Sequence, residues 1–212
     1  QVTSGAGNWC TWMFGRDLVN WNNNFTWAKW VTPSRDLISA FKQEGDEVRF
    51  KESIVYYDCN WSNYYPSDNY PFMYKCRSAN SSIIKYRYAD VLLLKAEALI
   101  MQDTPDLEGA ADIIDEVRDR AKLGALPTSV RSNKNVLLNA LLKERRLELA
   151  FEGQRWFDLV RLDKVEEVMN AVYAKDSGRK AQIYTFDKNS YRLPIPQSVI
   201  DANDKIHQNP GY

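Results

Sequence analysis

The sequence predicts a mainly α-helical protein: tetratricopeptide-like helical hairpins, preceded by a loop-rich aromatic region and followed by a small C-terminal β-hairpin. Three observations lead to this prediction. Apolar residues recur at helical spacing from about residue 84 onward. The earlier residues are rich in aromatic side chains and Asn and show little periodicity. Near the end, two short runs of strand-forming residues flank a polar turn. We therefore divide the chain into a loop-rich region, 1–83, and a helical region, 84–212, packed together as one unit.

The first predicted hairpin surrounds the break Asp103-Thr104-Pro105. Segments 86–102 and 107–123 each carry an apolar stripe with helical period. The first stripe comprises Ala89, Leu92, Leu93, Ala96, Leu99 and Ile100, and the second Leu107, Ala110, Ile114, Val117 and Ala121. The small Ala positions allow a neighbouring helix to approach closely, so we expect the two helices to pack on each other.

A second group of helices follows. Asn133 is the expected N-cap of a helix over 134–152, which Gly153 would end. The helical pattern resumes over 154–162 and continues to about residue 174. Upstream, a short helix is predicted at 34–43 with Ser34 as its N-cap. Successive hairpins of this kind are typical of a helical-repeat stack.

The C-terminal segment changes character. Ile183 to Phe186 and Tyr191 to Leu193 flank the polar run 187–190, which predicts a small β-hairpin. Pro194-Ile195-Pro196 predicts an extended segment, since each Pro fixes φ and biases the residue before it. Ser198 would then cap a single helical turn.

Composition excludes some functions. Lys plus Arg and Asp plus Glu each number 28, so the net charge is zero and no nucleic-acid partner is expected. The apolar runs are shorter than the roughly 18 residues that span a bilayer. The first residues, Gln1 to Gly5, do not resemble a signal peptide. We therefore expect either a cytoplasmic protein or a missing N-terminal segment.

Cysteine and histidine are too few to predict a metal site or cofactor. Cys10, Cys59 and Cys76 allow at most one disulfide, in any of three pairings, and none belongs to a CxxC motif. His207 is the single histidine and is assigned no role. The expected function of the cysteines is packing or one disulfide, and no metal ligands are predicted.

Charged residues alternate within the segment 144–161. Arg145 and Glu148 share one helix face, as do Arg155 and Asp158. Such carboxylates would act in glycoside hydrolysis if two of them faced one cleft with different pKa values. Because they flank arginines inside predicted helices, we favour a salt-bridge network that ties helices together. No catalytic residues are predicted.

Aromatic residues in the loop-rich region are the candidate ligand-binding residues. Flat rings can stack on the C–H faces of a sugar, and neighbouring Asn and Ser can bond its hydroxyls. The alternative is that the rings fill the core of this region. Loops held by a rigid scaffold are where binding residues concentrate. The candidates are Trp9, Trp12, Trp61, Tyr64 and Tyr65.

Four motifs together resemble the SusD/RagB family. They are Lys85 to Ala98 (KYRYADVLLLKAEA), Val117 to Ala121 (VRDRA), Glu144 to Arg161 (ERRLELAFEGQRWFDLVR), and Tyr191 to Pro196 (YRLPIP) with Gln208 to Tyr212 (QNPGY). Their order and the shared span 85–212 make the combination specific. Asp115 departs from the Asn that usually stands at that position of the second motif. Family members are much longer and begin with a lipidated Cys, so the resemblance implies a C-terminal portion of such a protein.

The resemblance also implies a biological setting. It predicts a surface-exposed lipoprotein of the outer membrane, anchored by a lipid outside this fragment, that binds oligosaccharide without catalysis. A SusC-like TonB-dependent transporter would be its partner. Peptide uptake of the RagB type is the alternative, and a glycosidase or a helical scaffold with only protein partners are the remaining classes.

Overall fold

The computed structural model describes residues 32–58, 65–75, 84–175 and 185–212. Two compact units divide between Arg155 and Trp156. The three cysteines and four of the five candidate rings, Trp9, Trp12, Trp61 and Tyr64, lie outside the described residues.

Two capped helices open the described part of the chain, α1 (Arg35–Glu44) and α2 (Glu47–Ser53). The Ser34 hydroxyl accepts a hydrogen bond from the Leu37 amide at 3.1 Å, which confirms the predicted N-cap. Gly45 ends α1 with φ +69°, a left-handed conformation that favours glycine. Asp46 is the N-cap of α2, and its carboxylate accepts a hydrogen bond from the Arg49 amide. Helix α2 therefore begins only two residues after Gly45.

A two-stranded antiparallel sheet follows α2. Strand β1 (Ile54–Tyr57) pairs with β2 (Tyr70–Met73), with Ile54 opposite Met73 and Tyr57 opposite Tyr70. Every residue of β2 is buried. The connection between the strands, residues 58–69, includes the candidate rings at 61, 64 and 65.

The main core lies between three longer helices, α3 (Tyr88–Met101), α4 (Leu107–Arg120) and α6 (Lys134–Glu148), with the short α5 (Thr128–Arg131) before α6. The fully buried residues of this core are Leu93, Ala96, Ile100, Ala110, Ala111, Ile114, Val117, Leu137 and Leu141. Most belong to the predicted stripes, which confirms the hairpin of α3 and α4. Leu137 and Leu141 extend this core onto α6.

A second core joins residues from both sides of the predicted 83/84 boundary. Phe41 of α1 and Ile54 of β1 pack with Leu147 of α6 and Ala150. Asn133 caps α6 as predicted, accepting from the amides of Asn135 and Val136. The helix ends at Glu148, before the predicted end at residue 152.

The second unit contains most of α7 (Arg155–Arg161), then α8 (Val165–Lys175), a 3₁₀ helix (Lys188–Tyr191) and α9 (Gln197–Asp201). The Asn170 side chain exchanges two 2.9 Å hydrogen bonds with the backbone of Phe186. The Phe186 ring also packs near Tyr173, with ring centroids 5.4 Å apart. These contacts hold Phe186 against α8.

The predicted C-terminal β-hairpin is wrong in its location. The small antiparallel pair is β1–β2, and the described residues 185–212 contain no strand. The Asp187 carboxylate accepts from the amides of Asn189 and Ser190, and the Ser190 hydroxyl accepts from the Asp187 amide. These local bonds form a capping box, which favours a helical turn over strand pairing. Pro196, not Ser198, is the N-cap residue of α9.

The extended segment after the 3₁₀ helix is held by the chain end. The Gln208 side chain accepts from the Ile195 amide at 2.8 Å and donates to the Ile195 carbonyl at 2.9 Å. Asn209 donates to the Leu193 carbonyl at 2.6 Å. The side-chain amides of Gln208 and Asn209 thus bond the extended backbone in the way that a neighbouring strand would. They also join the two parts of the fourth sequence motif, YRLPIP and QNPGY.

Candidate functional site

Tyr65 is the one candidate ring within the described residues, and it is half-buried. Its hydroxyl donates to the Pro33 carbonyl at 2.8 Å. The Arg35 guanidinium lies over the ring, 4.9 Å from its centroid, and Tyr70 packs edge-on at 5.7 Å. Tyr65 therefore fixes the end of the β1–β2 connection against β2 and the start of α1. Its predicted contact with ligand stays a prediction.

A buried ionic cluster lies around two carboxylates of α6. Glu144 and Glu148 are 2% and 1% exposed. One terminal nitrogen of Arg49 donates to both, at 2.6 Å to Glu144 and 3.0 Å to Glu148. The Nε of Arg49 donates to Asp46 at 2.5 Å. Arg49 therefore joins α2 to α6 through the centre of the first unit.

Arg87 connects the segment before α3 to the end of α6. It donates to the Glu148 carboxylate at 2.5 Å, to the Glu148 carbonyl at 2.5 Å and to the Glu152 carboxylate at 2.7 Å. Lys75, just after β2, donates to the same carbonyl at 2.6 Å. The Glu148 carbonyl at the end of α6 thus accepts from two cations, which also complement the helix dipole.

Helix α4 joins the ionic cluster from the other side. Arg120 reaches the Glu148 carboxylate at 2.5 Å, although its own side chain is 63% exposed. Arg118 donates to Glu44 of α1 at 2.7 Å and lies 3.4 Å from Glu144. The cluster therefore joins α1, α2, α4, α6 and the segment before α3.

The two central carboxylates have opposite pKa shifts. Burial raises the pKa of Glu144 and, together with the charge of Glu148, outweighs the stabilisation from Arg49 and Arg118. Burial would also raise the pKa of Glu148, but hydrogen bonds and charges from Arg87, with Arg49 and Arg120, lower it below its ordinary value. Three arginines on one carboxylate are enough to reverse the effect of burial.

Glycosidases also hold two carboxylates whose pKa values differ, but the geometry of Glu144 and Glu148 is not that of a glycosidase. A glycosidase holds its two carboxylates on either side of a substrate bond that enters a cleft. Glu144 and Glu148 are almost inaccessible to solvent, and the guanidinium of Arg49 bridges them. The cluster is suited to holding helices together and not to admitting a sugar.

One of the two predicted charge pairs has a different partner in the structure. Arg145 donates to Asp90 of α3 at 2.8 Å, whereas sequence spacing paired it with Glu148. Arg155 and Asp158, the second predicted pair, also have other contacts: Arg155 donates to the Leu142 carbonyl at 3.2 Å, and Asp158 accepts from Arg161 at 2.7 Å. The interpretation as a network that ties helices together fits the contact between Arg145 of α6 and Asp90 of α3. Sequence reasoning missed Arg49 and Arg87 because their partners are distant in sequence.

Membrane spans and metal clusters are absent from the part of the chain that the structure describes. No helix in it combines the length and apolar character needed to cross a membrane. It also contains no group of three or more His, Cys, Asp or Glu side chains arranged to hold a metal ion.

The fold and the ionic cluster define a mainly helical scaffold in which buried ion pairs join helices that are distant in sequence. Residues 68–212 match the model of the SusD family. The chain belongs to the SusD/RagB family, as the four motifs predicted. The mainly helical fold is likewise confirmed.

Individual relatives extend the comparison. The chain is 36% identical over 143 residues to a SusD-like protein, P2, from Formosa agariphila, covering 64% of this chain and 27% of that protein. A SusD superfamily protein from Bacteroides vulgatus superposes with a TM-score of 0.67 at 22% identity, covering 85% of this chain and 44% of the other. A laminarin-binding SusD-like protein superposes with a TM-score of 0.56 at 27% identity, covering 85% of this chain and 38% of the other. The chain therefore spans less than half the length of each of these proteins.

Proposed function

We propose that this chain is part of a cell-surface protein that binds oligosaccharide without modifying it, for import through an outer-membrane transporter. The family match over residues 68–212 is the main support. The similarity to a laminarin-binding protein at 27% identity favours a glycan as ligand over a peptide.

The proposed ligand site is formed by the aromatic rings predicted from the sequence. Tyr64 directly precedes Tyr65, and Trp61 lies four residues before it. Tyr65 packs on β2 and on the start of α1 through its ring and hydroxyl. A segment fixed at this point can present neighbouring rings to a sugar at a lower entropic cost. Trp9 and Trp12 are proposed as further stacking residues.

The ionic cluster supports binding indirectly in this proposal. Arg49, Arg87 and Arg120 converge on Glu148, so helices from distant parts of the sequence have a fixed arrangement. Truncating one member would leave a buried charge without its full set of partners. We propose that these residues act as scaffold and take no part in bond cleavage.

The cellular setting is taken from the resemblance. We propose a lipid anchor outside residues 1–212, a location on the outer-membrane surface, and a SusC-like TonB-dependent transporter as partner. In this arrangement the protein captures the glycan and the transporter moves it.

Isothermal titration calorimetry of the complete polypeptide tests the proposal. Laminarin oligosaccharides, a panel of other glycans and a mixture of short peptides would be titrated separately. We expect heat from at least one glycan, none from the peptides, and no new reducing ends after prolonged incubation. Binding of peptides alone would replace the proposal with peptide uptake, and release of reducing sugar would show that the protein is an enzyme.

A further inference from the structure

The two faces of the β1–β2 sheet have different surroundings. Residues directly opposite each other in an antiparallel pair project to the same face, and successive residues along a strand project to opposite faces. Ile54 and Tyr56 lie on the inner face, where they pack in the second core beside α1 and α6. Tyr57 and its partner Tyr70 therefore lie on the outer face, directed away from that core.

Aromatic side chains form a continuous row on the outer face of the sheet. Tyr65 packs edge-on against Tyr70, whose ring centroid lies 4.9 Å from that of Phe72. Tyr57 packs edge-on against Phe72, with ring centroids 6.2 Å apart. Edge-on and tilted contacts at such distances are the favourable geometries for aromatic pairs. We call these four residues, Tyr65, Tyr70, Phe72 and Tyr57, the aromatic row.

The exposure of the rings changes along the aromatic row. Tyr70 and Phe72, in its middle, are 3% and 2% exposed, whereas Tyr57 at its end is 39% exposed. The contact with Phe72 holds the Tyr57 ring from one side, so its orientation is limited while part of its surface meets solvent. A ring held in this way loses little further freedom when a ligand stacks on it.

The position of Tyr57 in the chain links it to the proposed glycan site. Tyr57 is the last residue of β1, so the β1–β2 connection begins directly after it and reaches Trp61 four residues later. The other end of that connection is fixed by Tyr65, which begins the aromatic row. Tyr57 and Tyr65 therefore border the connection from both sides.

We propose that Tyr57 is a further ligand-binding residue whose ring stacks on the C–H face of one sugar of the bound oligosaccharide. The inference rests on the proposed function, because it requires a glycan as ligand. Asp58, the next residue, is exposed, and its carboxylate can accept hydrogen bonds from sugar hydroxyls. Sequence reasoning omitted Tyr57 because the alternation within a four-residue strand does not show which face is open to solvent.

Isothermal titration calorimetry of the complete polypeptide tests this role. The titrant is laminarin oligosaccharide, or whichever member of the glycan panel binds the unmodified protein. Tyr57→Ala should weaken binding by about 5- to 100-fold, the loss expected for one stacked ring. Tyr57→Phe keeps the ring and should stay within about 3-fold of the unmodified protein. Tyr86→Ala is the matched control, because Tyr86 is 75% exposed and precedes α3, so the affinity should not change.

The outcomes separate this inference from the proposed function. Equal affinity of Tyr57→Ala and the unmodified protein would overturn the stacking role and leave glycan binding intact. An equal loss in Tyr57→Phe would also overturn it, since the hydroxyl and not the ring would then be the contact. An equal loss in Tyr86→Ala would show that the effect is not specific to the site. If the unmodified protein bound no glycan, both proposals would fail.

Tyrosine nitration gives a second readout that needs no variant. The complete polypeptide would be treated with tetranitromethane with and without saturating glycan, and nitration of each tyrosine followed by mass spectrometry. We expect bound glycan to suppress nitration of Tyr57, because a stacked sugar covers the ring, and to leave the rate at Tyr86 unchanged. Nitration of Tyr57 at the same rate with and without glycan would overturn the proposal.

Discussion

Arg145 of α6 donates a 2.8 Å hydrogen bond to Asp90 of α3, and both side chains are at most 3% exposed. This ion pair joins the two helices on either side of the main core. It is separate from the cluster around Glu148, so buried ion pairs join the described helices of the first unit at more than one place.

Replacing Arg145 should be strongly destabilising. Arg145→Ala would leave the Asp90 carboxylate buried without this partner, and we expect a loss of about 3–5 kcal/mol in the free energy of unfolding. Denaturant unfolding measures the change. Arg146→Ala is the matched control, since the neighbouring Arg146 is partly exposed and pairs with Asp36, so its loss should cost about 1 kcal/mol or less.

The double variant Arg145→Met with Asp90→Leu gives an independent check. If the large effect comes from an unpaired buried charge, removing both charges should recover much of the lost stability. A double variant as unstable as Arg145→Ala would contradict that explanation.

Glu148 and Glu144 should affect acid stability in opposite directions. The pKa of Glu148 is lowered in the folded protein, so its contribution is present above the ordinary value of about 4.5 and is lost as pH falls below it. The cost of Glu148→Gln should therefore shrink between neutral pH and pH 3. Unfolding curves across this range measure it.

Glu144→Gln is the matched variant for that experiment. The pKa of Glu144 is raised, so its contribution is present below the ordinary value and is lost as pH rises through the folded value. Relative to the unmodified protein, Glu144→Gln should thus gain stability from acid to neutral pH. If the stability of both variants, relative to the unmodified protein, changed with pH in the same direction, the two pKa values would not be shifted in opposite directions.

Local features of the sequence were sufficient to predict most helices. Ser34 and Asn133 cap helices as expected, because a cap depends on residues two or three positions away. Arg49 and Arg87 could not be found in this way, since 99 and 61 residues separate them from Glu148. The β-hairpin predicted near Asp187 failed for the opposite reason, because local side-chain bonds replaced strand pairing.

Gln208 should be required for the order of the Pro-Ile-Pro segment. Gln208→Ala removes both hydrogen bonds to the Ile195 backbone, a loss of about 1–2 kcal/mol if each contributes a typical amount. We expect faster hydrogen exchange at the Ile195 amide. Gln197→Ala, whose side chain bonds only to Asp201 in the described contacts, should leave that amide unchanged. Unaltered exchange in Gln208→Ala would mean that other contacts hold the segment.

The proposed glycan site makes Trp61 the most informative ring to change. Trp61 lies in the β1–β2 connection, four residues before Tyr65, which is fixed by Pro33, Arg35 and Tyr70. Loss of one stacked ring should weaken oligosaccharide binding by about 1–3 kcal/mol, by analogy with stacking of other planar ligands. Calorimetry on Trp61→Ala in the complete polypeptide measures it, and Trp12→Ala should behave similarly.

Phe157→Ala is the control, because Phe157 is 65% exposed and lies outside the proposed site. Unchanged affinity after replacing each of the five candidate rings would exclude this site, whereas an equal loss in Phe157→Ala would show that the effect is not specific to it.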